Sequence, residues 1–182
     1  MTVTRAACLG LALFVSACAS LEISSDWNPQ ADFSRLHAWT WLPQARPASG
    51  DPRLDSSLLD ARIRSAVESE LGVRGYAKTE ATPDFLVAYH VALDTQLEAT
   101  SVDSYYGGAG YRHWGGPGYT TTYVREFEVG SLVLDVLDPR SKELIWRGSA
   151  TAEIIPGATP EEREARIREA VRRMLERFPP KP

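Results

Sequence analysis

The sequence predicts an α+β domain, an antiparallel sheet of about four to five strands with two amphipathic helices packed on one face. Two segments, near 57–71 and 159–178, repeat apolar residues at helical spacing, so each presents one stripe that needs a sheet to cover it. The run 33–43 alternates as a half-buried strand does, and 85–93 is apolar on both faces apart from His90, as an interior strand is. The stretch 123–154 reads as two strands about Asp138-Pro139-Arg140-Ser141-Lys142, a hairpin around which the rest is built, with Trp146 in the core.

The chain begins with the Met1 amine and Arg5, continues through Leu9, Leu11, Leu13, Phe14 and Val15, and reaches the small residues Ser16 and Ala17. This is the form of a secretory signal, too short to span a bilayer as a mature helix. Val15-Ser16-Ala17-Cys18 resembles the bacterial lipobox. That resemblance implies cleavage before Cys18, a diacylated Cys18 side chain and an acylated new N-terminus. Ala19 and Ser20 follow with no aspartate, which by similarity to enterobacterial lipoproteins implies sorting to the outer membrane, facing the periplasm. The expected organisation is a signal peptide at 1–17, a lipidated N-terminus and short tether at 18–34, and one domain at 35–178.

About 165 residues remain after cleavage, enough to bury a core. Cys8 leaves with the signal and Cys18 carries lipid, so the mature chain is expected to hold no disulfide, thiolate metal site or cysteine nucleophile. The net charge of −4 becomes more acidic when Arg5 is lost, which speaks against nucleic acid and anionic lipid surfaces as partners. Three acyl chains, at roughly 0.8 kcal/mol per buried methylene, make a membrane attachment that needs no basic patch.

In chain order, Leu21 and Ile23 are possible strand positions before the Trp27-Asn28-Pro29 turn. Trp39 and Trp41, two apart, share a face of the next strand, which Pro43 ends. Ser57 and Asp60 fit a capping box for the first helix, with Leu59, Ile63, Ala66, Val67 and Leu71 as its stripe and Gly72 or Gly75 as its stop. Glu68 and Glu70 are read as a solvated face rather than paired catalytic carboxylates. In 85–93 both alternating sets are apolar apart from His90. No acidic residue or second histidine stands at ligand spacing, so His90 is read as structural rather than as a ligand or base. Gly130 marks a bulge or a close approach, and Asp135 and Arg147 pair if the hairpin register puts them on one face. Thr159, Pro160 and Glu162 cap the last helix, with Ile167, Val171, Met174, Leu175 and Phe178 as its stripe. Its arginines are balanced by acids four residues away.

The stretch 101–122 breaks the pattern, with glycine and proline interleaved by Tyr105, Tyr106, Tyr111, Trp114 and Tyr119. Such a loop is either an aromatic contact surface for a partner or a low-complexity excursion between two strands. Its glycines form no phosphate loop, since no Lys-Ser or Lys-Thr follows them.

The lipobox, Asp32-Phe33-Ser34 before a tryptophan strand, a helix ending before Gly75-Tyr76, Pro83-Asp84-Phe85-Leu86-Val87, the glycine and tyrosine loop, Gly130-Ser131-Leu132-Val133-Leu134-Asp135 and Trp146-Arg147-Gly148 together resemble the bacterial lipoproteins carrying domain of unknown function 4136. The resemblance implies the envelope address and the α+β architecture, and brings no activity or catalytic residue with it. With no nucleophile and base constellation, metal cluster or cofactor loop in the sequence, the expected function is a non-catalytic interaction or scaffold module. It needs no cofactor, sits in the membrane through its acyl chains, and binds an envelope protein or the cell wall. The alternative is a binder of a small apolar or glycan ligand through the aromatic loop and a sheet face.

Overall fold

The computed structural model describes residues 21–43, 49–104 and 119–181. They form a six-stranded mixed sheet with two helices, in the order β1 (Glu22–Trp27), β2 (Ala38–Trp41), α1 (Ser57–Val73), β3 (Ala77–Lys78), β4 (Phe85–Ser104), β5 (Tyr119–Leu137), β6 (Leu144–Glu153) and α2 (Pro160–Leu175). The sheet order is β1-β6-β5-β4-β2-β3. The hairpin is central: β5 pairs antiparallel with β6 on one side and β4 on the other.

The sheet exceeds the expected four to five strands and is not wholly antiparallel. β1 lies within the stretch expected to be a tether and takes the free edge of β6, Trp27 opposite Trp146. Its sequence, Glu-Ile-Ser-Ser-Asp-Trp, is mostly polar because only one of its faces meets the core, so the apolar signal is thin. β2 runs parallel to both β3 and β4, with Trp39 opposite Phe85. A parallel neighbour needs a crossover, and α1 supplies it between β2 and β3.

Register assigns the inward face. Val87 and Tyr89 of β4, Leu132, Leu134 and Val136 of β5, and Trp146 and Ala150 of β6 share it, and all are buried. Ile63, Val67 and Leu71 of α1 and Val171, Met174 and Leu175 of α2 close over this face in one core. At the end away from the start of β1 the core is dense in rings. Phe178 meets Trp146 at 5.2 Å, Phe85 at 5.7 Å and Tyr76 at 5.5 Å between centroids.

The helix ends differ from each other. α2 has the expected box: Thr159 accepts from the Glu162 N–H at 3.2 Å, and Glu162 accepts from the Thr159 N–H at 2.8 Å. For α1 the Ser57–Asp60 box is not formed. The cap residue is Ser56, which makes no side-chain capping bond, and Asp60 instead accepts from Arg64 and from the Tyr89 hydroxyl. The α1 stop is a Schellman motif, with Tyr76 N–H on Leu71 C=O and Gly75, at φ +88°, donating to Gly72 C=O. In β5 the register shift falls between Val136 and Leu137 rather than at Gly130. Gly130 is a close approach: a Cβ there would lie 2.7 Å from Ile154 Cδ1.

Candidate functional site: an apolar cleft and a projecting arm

Strand directions bring three features to one end of the domain. β4 and β6 run toward it and β1 starts from it, Glu22 opposite Thr151. There the core stops short of filling the space between sheet and helices, leaving a cavity of about 680 Å³. The sheet side offers Gly130, Ala150 and Ala152 together with Val91 and Leu93, and α2 offers Ala165 and Ala170. Small residues facing one another across the gap are what leave the volume open. Leu54, Leu59 and Ile63 form the opposite wall, and Leu21 closes it beside the start of β1. The size falls within the roughly 300–1,000 Å³ usual for small-molecule sites, as does the apolar character.

Among the described residues, charge enters this cleft only from α2. Arg166 is committed to the Glu153 carbonyl at 2.6 Å. Glu169 is held by both nitrogens of the Arg172 fork, at 2.7 and 2.8 Å, which keep its carboxyl below the usual range. Arg173, half-buried on the same wall, has no hydrogen bond or ion pair within 4 Å among the described residues, but its charge also helps to lower the Glu169 carboxyl.

The second feature is an arm. β6 ends opposite Val129, yet β4 and β5 continue to pair from Thr95–Glu128 to Ser104–Tyr119. These ten further pairs make a two-stranded ribbon about 33 Å long. Residues 101–104 and 119–122, expected to be loop, are therefore strand. Leu97 is 71% exposed, Val124 65% and Tyr123 62%. At the root, Arg53 bridges to Glu128 at 2.8 Å, and Arg125 pairs with Glu153. Beyond Val87, β4 has no partner on its outer edge among the described residues, so the arm offers open strand edges as well as apolar side chains.

Of the residues singled out in the sequence, Cys18, Tyr105, Tyr106, Tyr111 and Trp114 lie outside the described residues. Tyr119 is the first residue of β5, opposite Ser104 at the end of the described arm. On the sheet face away from the helices, register places Asp135 opposite Arg147, and the guanidinium grips the carboxylate at 2.6 and 2.7 Å. Asp135 is only 5% exposed, and this hydrogen bonding raises the Arg147 pKa. His90 Nε2 stands 3.6 Å from the same carboxylate. The structure thus supplies the acidic neighbour that linear spacing did not show. Among the described residues no hydroxyl hydrogen-bonds His90, and no group of three or more His, Cys, Asp or Glu is placed to hold a metal. Glu68 is more than a solvated charge: it accepts from Trp41 Nε1 at 2.8 Å and Lys78 Nζ at 2.6 Å. Burial opposes its ionisation, but these donors outweigh burial and lower its pKa. No helix among the described residues is long and apolar enough to cross a membrane.

Fold and cleft define a small α+β domain with a mixed sheet backed on one side by two helices. The chain belongs to the family described as Domain of unknown function (DUF4136), whose model matches residues 23–180. No curated protein matches it. Among solved structures, a PDZ domain protein from Parabacteroides distasonis is similar at 13% identity and TM-score 0.55; the match covers 88% of this chain and 36% of that one. The PelC dodecamer from Paraburkholderia phytofirmans is similar at 9% identity in two crystal forms, with TM-scores of 0.47 and 0.41, over 86% of this chain and 95% of PelC.

Proposed function

We propose that the protein is a non-catalytic interaction module of the cell envelope, held at the outer membrane by acyl chains on Cys18 and facing the periplasm. The observation that carries this reading is the arm. A two-stranded ribbon is marginal in water by itself, and this one leaves Leu97, Tyr123 and Val124 exposed. A partner strand from an envelope protein, added along the open edge of β4, covers the apolar residues and pairs the free backbone groups together. The lipobox supports the address: only three residues separate Cys18 from Glu22, where β1 begins, so the domain stands close to its anchor.

Site-specific photocrosslinking in intact cells tests the arm. A photoreactive residue in place of Leu97 or Val124 is expected to give one discrete adduct with an envelope protein, and one in place of exposed Arg163 on α2 none. Equal labelling at all three positions would remove the arm from the reading. Cys18→Ala is expected to release the protein from the outer-membrane fraction, and retention there would remove the anchor.

A further inference from the structure

We propose that the cleft between sheet and helices is a binding site for one long-chain fatty acid, with its chain against the apolar walls and its carboxylate at Arg173. Wall chemistry selects the class. The lining supplied by the sheet and α1 is almost entirely aliphatic and offers a chain no hydrogen-bonding pattern, as an acyl chain requires and a glycan does not. Gly130, Ala150 and Ala152 of the sheet face Ala165 and Ala170 of α2, so the space between them admits a slender ligand lengthwise.

The head group follows from the charges on the rim. Arg166 is turned to the Glu153 carbonyl, to which its Nη2 donates, and Glu169 is neutralised at contact by Arg172. Arg173 has no hydrogen bond or ion pair within 4 Å among the described residues and acts on Glu169 only through its charge, which leaves the N–H donors of its planar fork for a carboxylate. Position supports the ligand too. Leu21 is part of the wall and Cys18 lies three residues before it, a reach of about 10 Å in extended chain, so an anchored protein turns the cleft toward the source of acyl lipid.

The test uses the full mature chain carrying Cys18→Ser and displacement of the fluorescent probe 11-(dansylamino)undecanoate. Saturated fatty acids from decanoate to stearate are expected to compete with affinities rising about fourfold per methylene until the cleft is full, then levelling. Arg173→Gln should weaken palmitate about tenfold and leave hexadecanol unchanged. Ala165→Trp, on the exposed rim of α2, and Ala152→Phe, inside, should weaken both ligands. Palmitate should raise the Tm of the parent and not of either blocked variant. If Ala152→Phe does not fold, Ala165→Trp carries the blocking arm alone. Competition indifferent to both blocking substitutions would mean adsorption outside the cleft and overturn the site. An Arg173→Gln variant that loses hexadecanol as much as palmitate would overturn the assigned head group. Palmitate binding by the Cys18→Ser chain but not by the acylated protein would give the cleft to the protein's own anchor and overturn a free ligand.

Discussion

Gly148 has no room for a side chain. A Cβ there would lie 2.4 Å from Trp146 Cη2, and the indole it meets is fully buried with its ring against Phe178. A rigid ring in a dense cluster cannot step aside, so Gly148→Ala is expected to cost about 2 kcal/mol through forced repacking. Gly130 is the contrast, because the neighbour it crowds is the tip of a part-exposed Ile154. There Gly130→Ala should stay within about 0.5 kcal/mol of the parent, the loss of unfolded-state freedom offsetting a small shift of that tip. Denaturant midpoints for the two variants decide the matter, and equal midpoints would mean that the indole moves as freely as the isoleucine. Acid stability also has a residue-level cause. Asp84 Oδ2 accepts from the Ala38 and His37 N–H groups at 2.9 and 3.0 Å, which lowers its pKa; Asp138 is lowered by comparable turn N–H groups, Asp32 first by the Ser34 hydroxyl and Asp51 first by the Arg53 guanidinium. A carboxyl depressed in the folded state contributes stability that is present above its unfolded value, near about pH 4, and is lost as pH falls through the folded value. The Tm gap between the parent and Asp84→Ala should therefore hold from neutral pH to about pH 5 and shrink below about pH 4. A gap unchanged down to about pH 2 would show that Asp84 acts through packing and not through its charge.

Elements were legible where each residue type spoke for one environment. α2 carries Thr159, Pro160 and Glu162 at its start and an unbroken apolar stripe, and it forms with the capping box expected. α1 forms nearly where its stripe predicts, but Asp60 leaves the cap for Arg64, a turn away, and Tyr89, distant in sequence. β2 was visible as a strand through Trp39 and Trp41, whereas its parallel pairing depends on where α1 returns the chain, which alternation does not encode. The outer halves of β4 and β5 were the hardest to see. From Asp94 to Ser101 both faces are exposed and mostly polar, so period-two alternation fades even though no glycine or proline interrupts the run as far as Ser104. The cleft was illegible for a different reason. It is made by the small size of Gly130, Ala150, Ala152, Ala165 and Ala170, and a small residue read singly signals nothing. The one available hint was the series Gly148, Ala150, Ala152 at consecutive inward positions of β6, where a packed sheet would otherwise place branched side chains.

For the molecule as a whole, the question is whether the arm belongs to the folded unit or is carried by it. The core draws on β1, β2, α1, the first half of β4, β6 as far as Ala150, the last third of β5, and α2 with Phe178; among the described residues, none of those buried lies between Asp94 and Glu128. The bonds that tie the arm to the body are at its root, Arg53–Glu128, Arg125–Glu153 and the Ile154 N–H on Glu128 C=O at 2.8 Å. The two ion pairs are largely exposed and contribute about 0–1 kcal/mol each. Gln96 and Phe127 stand directly opposite each other, so joining them through Asn-Gly makes a two-residue hairpin turn and removes the arm without changing register below it. This shortened chain should keep the cooperative thermal transition of the parent within a few degrees, since what it loses is one surface pair and a ribbon that packs on nothing buried. It should also fail to co-purify with the envelope protein that Leu97 or Val124 crosslinks in the parent, while still binding palmitate in the cleft. A shortened chain that melts broadly or far below the parent would make the arm part of the folding unit, and its exposed apolar residues would then owe their place to stability rather than to a partner.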